Sequence, residues 1–185
     1  MESRLLSREN SILIVIDMQE KLLPHVEAHE DILRRVRLLV SSAKRLGVPI
    51  VATEQYPKGL GPTVPEVAEV LGDVRTVVKT EFSCAAVPEF MSRLGAPGRQ
   101  VVVCGIEAHI CVSQTAVELA AAGWRVFVVL DAIGSRRGSD RDAAVSRMSQ
   151  EGIAPMTAEA VVFEWLRKAG GEDFKAVQGW VKGIP

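Results

Sequence analysis

Ile12-Leu13-Ile14-Val15-Ile16 runs into Asp17-Met18-Gln19, five apolar residues that stop on a carboxylate. A run of this length, rich in β-branched residues and apolar on both faces, reads as a parallel strand covered by helices on either side. Four similar runs follow, at residues 49–52, 75–78, 100–103 and 125–130. Helix-period stretches lie between them. Ile32, Val36, Leu39, Val40, Ala43 and Leu46 form one apolar stripe, closed by Gly47 and Pro49. Val112, Thr115, Ala116, Leu119 and Ala122 form a second, closed by Gly123, and shorter stretches cover about residues 87–94, 140–150 and 158–168. Alternation of this kind predicts an α/β fold, a doubly wound, mainly parallel sheet of about six strands flanked by helices on both faces. Residues 56–71, with three Pro and two Gly, stand out as one long irregular connection of the kind that carries function.

Composition sets the outer bounds. A length of 185 residues predicts a single domain spanning 1–185, at the usual ~100–200 residues per domain. The 22 basic and 23 acidic side chains leave a net charge of −1, with no long run of one sign, so no electrostatic footprint for nucleic acid is expected. Aromatic residues make up 5%, too few for a base-stacking platform. No apolar run approaches the ~18–20 residues that cross a bilayer, so no membrane partner is expected. The first ten residues hold no apolar signal core, and three cysteines without a CxxC pair argue against a disulfide framework. Together these features predict a protein of the reducing cytoplasm.

Ligands of open α/β sheets bind at the carboxyl ends of the strands. Three reactive groups fall there: Asp17 after the first run, Lys79 after the third, and Cys111 shortly after the fourth, at the expected first turn of a helix over 111–122. Unpaired helix N–H groups and a nearby ammonium would favour the thiolate, and the carboxylate could take the thiol proton. Taken singly, Asp17 reads equally as a turn residue, Lys79 as a solvated strand end and Cys111 as a small core residue.

The segments Val15-Ile16-Asp17-Met18-Gln19, Val78-Lys79-Thr80-Glu81-Phe82-Ser83 and Gly105-Ile106-Glu107-Ala108-His109-Ile110-Cys111-Val112 together resemble the isochorismatase-like cysteine hydrolases. Thr53-Glu54-Gln55-Tyr56-Pro57-Lys58-Gly59-Leu60-Gly61 and Asp131-Ala132-Ile133-Gly134-Ser135-Arg136 extend the likeness, the former towards the branch of isochorismatase domain-containing proteins. The resemblance implies Asp17 as general base, Lys79 as its charge partner and Cys111 as a nucleophile that forms a thioester with a small amide or related acyl compound. It also implies a cis peptide between Ile106 and Glu107, aiming the N–H groups of Glu107 and Cys111 at an oxyanion. A pocket walled by Met18, Gln55, Tyr56, Phe82 and His109 would hold the small-molecule substrate. No cofactor is implied. A homo-oligomer is, with residues 115–122 and 174–181, including Trp180, as candidate interfaces.

Nicotinamidases of this superfamily carry an Asp-x-His metal motif after the second strand, where this chain reads Thr53 to Lys58 without histidine. Metal independence is therefore expected. His25 and His29, four apart, lack a third ligand. Isochorismatases proper lack the cysteine, so Cys111 points to acyl chemistry. Gly59-Leu60-Gly61 opens no phosphate-binding helix. Cys84 and Cys104 read as buried thiols, with Cys84 a conceivable disulfide partner of Cys111. Two other classes remain: a binding or scaffold protein that kept the fold, and a redox-sensing thiol protein.

Overall fold

The structure, a computed structural model, describes residues 5–183; the outermost residues of the expected 1–185 unit lie outside them. Six strands form one all-parallel sheet: β1 (Ser11–Ile16), β2 (Ile50–Gln55), β3 (Thr76–Lys79), β4 (Gln100–Ile106), β5 (Arg125–Gly134) and β6 (Ala154–Met156). Their spatial order is β3-β2-β1-β4-β5-β6. The chain thus winds outward from β1, then returns to place β4 beside it. The switch point lies between β1 and β4, where open sheets of this kind leave a crevice.

Eight α-helices cover the sheet: α1 (His29–Leu46), α2 (Pro57–Leu60), α3 (Pro65–Leu71), α4 (Pro88–Leu94), α5 (Ser113–Ala121), α6 (Gly138–Gln150), α7 (Ala158–Leu166) and α8 (Gly171–Lys182). Residue alternation along the strands sorts two cores. On one face Leu13, Val15, Val102, Cys104 and Val129 meet Val36, Leu39, Val40 and Ala43 of α1, Val67 of α3 and Trp165 of α7. On the other, Ile12, Ile14, Ile16, Val101 and Val103 meet Phe90 of α4, Ala116 and Leu119 of α5, and Met148 of α6. Gly47 ends α1 in the left-handed region (φ 73°), its N–H bonded to the Ala43 and Lys44 carbonyls, a conformation that glycine adopts without a Cβ penalty.

Several expectations need correction. Residues 56–71 are not irregular throughout: Pro57 and Pro65 each open a short helix, α2 and α3, because proline's fixed φ suits a first helical position. Cys111 does not open an α-helix. It lies in a π-helical turn, Ala108–Val112, and α5 starts at Ser113. The fifth strand runs on through Gly134, with a register shift against β4 between Val103 and Gly105. β3 is an edge strand, so Val78 is exposed rather than covered on both faces. His25 belongs to a 3-10 turn, Leu23–His25, and His29 begins α1, so the two do not share one helix face.

Candidate active site

Asp17 leaves β1 with a left-handed backbone (φ 51°), a region that Asp and Asn tolerate better than other side chains. β4 crowds this point. Gly105 stands opposite Ile16 and adopts φ +114°; a Cβ there would overlap the Ile16 carbonyl and amide. The strands therefore approach closely where the carboxylate turns, and only glycine fits.

Both oxygens of Asp17 are held. Oδ1 accepts a hydrogen bond from the Thr53 hydroxyl at 2.6 Å, and Oδ2 accepts one from Lys79 Nζ at 2.8 Å. The ion pair is sealed: Asp17 is 0% exposed and Lys79 3%. Lys79 also donates to Gln55 Oε1 at 2.6 Å and to the Glu81 and Phe82 carbonyls at 3.2 and 3.4 Å. Gln55 in turn donates from Nε2 to the Thr80 carbonyl at 2.7 Å. Its backbone N–H donates to Gln19 Oε1, and Gln19 Nε2 donates to the carbonyls of Gln55 and Gly61. A buried charge pair repays its desolvation only when such a shell satisfies the remaining donors and acceptors. Here Gln19 and Gln55 supply that shell.

Cys111, 6% exposed, completes the cluster, near enough for the Asp17 and Lys79 charges to act on its thiol. The expectation of a stabilised thiolate is not met. Burial pushes the Cys111 thiol well above the usual cysteine value, the Asp17 charge adds to this, and the Lys79 ammonium only partly opposes it. Burial would by itself lower Lys79, but the charge of Asp17 outweighs it and raises it above the ordinary lysine value. The Asp17–Lys79 ion pair thus stands beside a thiol that holds its proton more tightly than free cysteine does.

The Ile106–Glu107 peptide bond is cis. Glu107, buried, accepts from both the backbone N–H (3.0 Å) and the Nε (3.1 Å) of Arg136, fastening the turn that carries Cys111 to the segment after β5. His109 makes a second tie, with Nδ1 2.9 Å from Ser135 Oγ. Tyr56 (53% exposed) and Phe82 (55%) occupy the two segments that wrap Lys79, and the Tyr56 N–H donates to the Lys79 carbonyl at 2.8 Å. Met18 does not join them: it packs in the core with Leu23 and Val64, its carbonyl accepting from Val64 N.

Thr53, which contacts Asp17, and Gln19, which contacts Gln55, are not singled out by the sequence reading. Both stand within quoted segments, one at the end of β2 and one two residues after Asp17. Cys84 lies behind the site, its Sγ 4.0 Å from Thr53 Oγ1, with a thiol that burial pushes up to about 11. All three cysteines are thiols. Among the described residues no group of three or more His, Cys, Asp or Glu is placed to hold a metal. No helix among them is long and apolar enough to cross a membrane.

Residues 11–160 match the model of the isochorismatase domain. The chain belongs to the isochorismatase family. Isochorismatase domain-containing protein 2 of Danio rerio is 39% identical over 176 residues, 94% of this chain and 87% of the relative. Among solved structures, the MAR1 ribonuclease from Caenorhabditis elegans is 37% identical with a TM-score of 0.92, covering 98% of this isochorismatase-family chain and 94% of its own. The YcaC protein of Pseudomonas aeruginosa, solved with hexane-2,5-diol and covalent acrylamide, is 25% identical with a TM-score of 0.90, covering 100% and 95%. Its Escherichia coli counterpart, described as an octameric hydrolase of unknown specificity, gives 25% and 0.87 over 100% and 90%.

Proposed function

We propose that the protein is a metal-independent cysteine hydrolase that cleaves a small amide or related acyl compound through a thioester on Cys111. The observation that carries this reading is the meeting of a neutral thiol with a buried, ionised Asp17–Lys79 pair at the switch point of the sheet. Asp17 takes the Cys111 proton as sulfur bonds to the acyl carbon, and the carbonyl oxygen becomes an oxyanion directed at the Glu107 and Cys111 N–H groups. Collapse breaks the C–N bond, and Asp17 returns the proton to the departing amine. Water then attacks the thioester, giving up a proton to Asp17 and thence to the sulfur, and releases the acid. Lys79 holds the Asp17 carboxylate in place and offsets the charge that passes to sulfur. A group that donates a proton and takes it back in this way contributes ~10²–10⁴-fold to rate.

The ribonuclease description of the C. elegans relative raises RNA as a second substrate. Phosphodiester binding calls for cations that face the ligand, and Lys79 is turned inward onto Asp17 and Gln55. That arrangement favours the acyl reading, with no nucleic acid partner. An octameric relative supports a homo-oligomer, and three buried or half-sealed thiols suit the reducing cytoplasm.

Ammonia release from a panel of small amides, run beside cleavage of a labelled RNA, tests the proposal. The wild type should release ammonia and accumulate a Cys111 acyl adduct detectable by intact mass, and Cys111→Ala should do neither. RNA cleavage unaffected by Cys111→Ala, without ammonia release, would overturn it.

A further inference from the structure

Each charged or amide group that builds the floor of the site is already paired within the protein. Lys79 has three N–H donors, and they are spread over the Asp17 carboxylate, the Gln55 amide oxygen and the carbonyls of Glu81 and Phe82. Gln55 has its oxygen on Lys79 and its amide N–H on Thr80, and Gln19 is engaged through both ends with Gln55 and Gly61. Glu107 holds Arg136. The Lys79 ammonium therefore has no N–H left over for a substrate anion. The exposed charge on the segment that wraps Lys79 is itself acidic: Glu81 accepts from Thr80 N and Oγ1. Carrying a carboxylate up to a buried lysine that is already fully paired costs far more than carrying in an apolar group of equal size.

The same segments present large apolar surface. Tyr56 and Phe82 stand more than half exposed on either side of Lys79. Tyr56 holds a left-handed backbone (φ 38°), and its ring lies over Gly59, where a Cβ would come within 2.5 Å of Cε1. Gly59 thus leaves the room that the ring occupies.

Resting on the hydrolase reading above, we propose a substrate class for the site: small uncharged acyl compounds carrying an apolar group that meets the Tyr56 and Phe82 rings, with carboxylate-bearing analogues rejected.

Iodoacetamide and iodoacetate form a matched neutral and anionic pair that alkylates Cys111 without requiring turnover. Rates at Cys111 are read by peptide mass spectrometry at neutral pH. The ratio of iodoacetamide to iodoacetate rate is taken relative to N-acetylcysteine. We expect the ratio to exceed that of the free thiol by about tenfold or more. A neutral benzyl-bearing chloroacetamide should gain further over its methyl analogue, and Gly59→Ala, which displaces the Tyr56 ring, should reduce that gain at unchanged iodoacetamide rate. A ratio at or below that of the free thiol would overturn the proposal and assign substrate recognition to the cations nearby, Lys58 or Arg136. Alkylation at Cys84 or Cys104 with none at Cys111 would instead remove the hydrolase reading on which it rests.

Discussion

Asp17 owes its position to two residues on neighbouring strands, Thr53 at its Oδ1 and Lys79 at its Oδ2. With both oxygens held, the carboxylate is fixed in one orientation. Thr53→Val keeps the shape of the side chain but removes the donor, leaving Oδ1 buried with one partner fewer. We expect a stability loss of about 1–3 kcal/mol and a fall in kcat, with Thr53→Ser restoring most of both. Thermal melts and steady-state kinetics on the three proteins check this; a Thr53→Val enzyme with wild-type kcat would show that the hydroxyl only packs. Lys79→Ala is the harsher change, because it strands a fully buried carboxylate. It should cost about 3–5 kcal/mol, read as the shift of a denaturant midpoint.

At the level of elements, the site depends on how close β1 and β4 run at their carboxyl ends. Gly105→Ala places a Cβ against the Ile16 backbone at a φ that L-residues avoid, so relief requires the two strands to part. Loss of soluble protein, or a melting temperature lower by well over 10 °C, is the expected result; the penalty exceeds the ~2–4 °C that one kcal/mol commands in a domain of this size. A near-native melt would contradict the close approach. Elements also show what the sequence disclosed. The strands β1, β2, β4 and β5 were legible because a doubly covered strand is apolar on both faces, β3 because its short run is β-branched although it lies at the sheet edge, and α1 because its stripe and Gly47 cap are local features. β6 was not, since it has three residues and one of them is Pro155. The π-helical turn was equally hidden: Ala108 to Val112 has no composition that separates it from an ordinary helix start. The depth at which Cys111 lies, with the Asp17 charge beside it, is why the thiol is raised rather than lowered, a property of burial that spacing along the chain does not carry. The three residues of the site were visible as strand-end polar groups, whereas Gln19 and Thr53 became meaningful only once β1 and β2 were set side by side in register.

For the molecule as a whole, the buried thiols and the lysine share one sign of response to pH. Cys84, Cys104, Cys111 and Lys79 all titrate higher in the folded chain than their ordinary values. The folded state therefore keeps protons that the unfolded state gives up, starting near the ordinary thiol value of 9.0. Their contribution is fully present below that pH and declines as pH rises through it, by as much as ~1.4 kcal/mol per pH unit for each group. Under reducing conditions the melting temperature should hold level from pH 7 to 8.5 and fall steadily to pH 10.5; a level curve throughout would contradict the burial of these groups.

In the proposed mechanism three residues, from the end of β1, the end of β3 and the turn after β4, act as one unit, with Asp17 the proton acceptor and a charge that adds to burial in keeping the proton on Cys111. The rate of iodoacetamide alkylation at Cys111 as a function of pH, in wild type and in Asp17→Asn, tests this most directly. With the carboxylate gone, the Lys79 ammonium is left to stabilise the thiolate, so the alkylation midpoint should move to lower pH while amide turnover falls by about 10²–10⁴-fold. An alkylation profile at Cys111 unchanged by Asp17→Asn would mean that the two side chains are not coupled, and the proposed mechanism would fail.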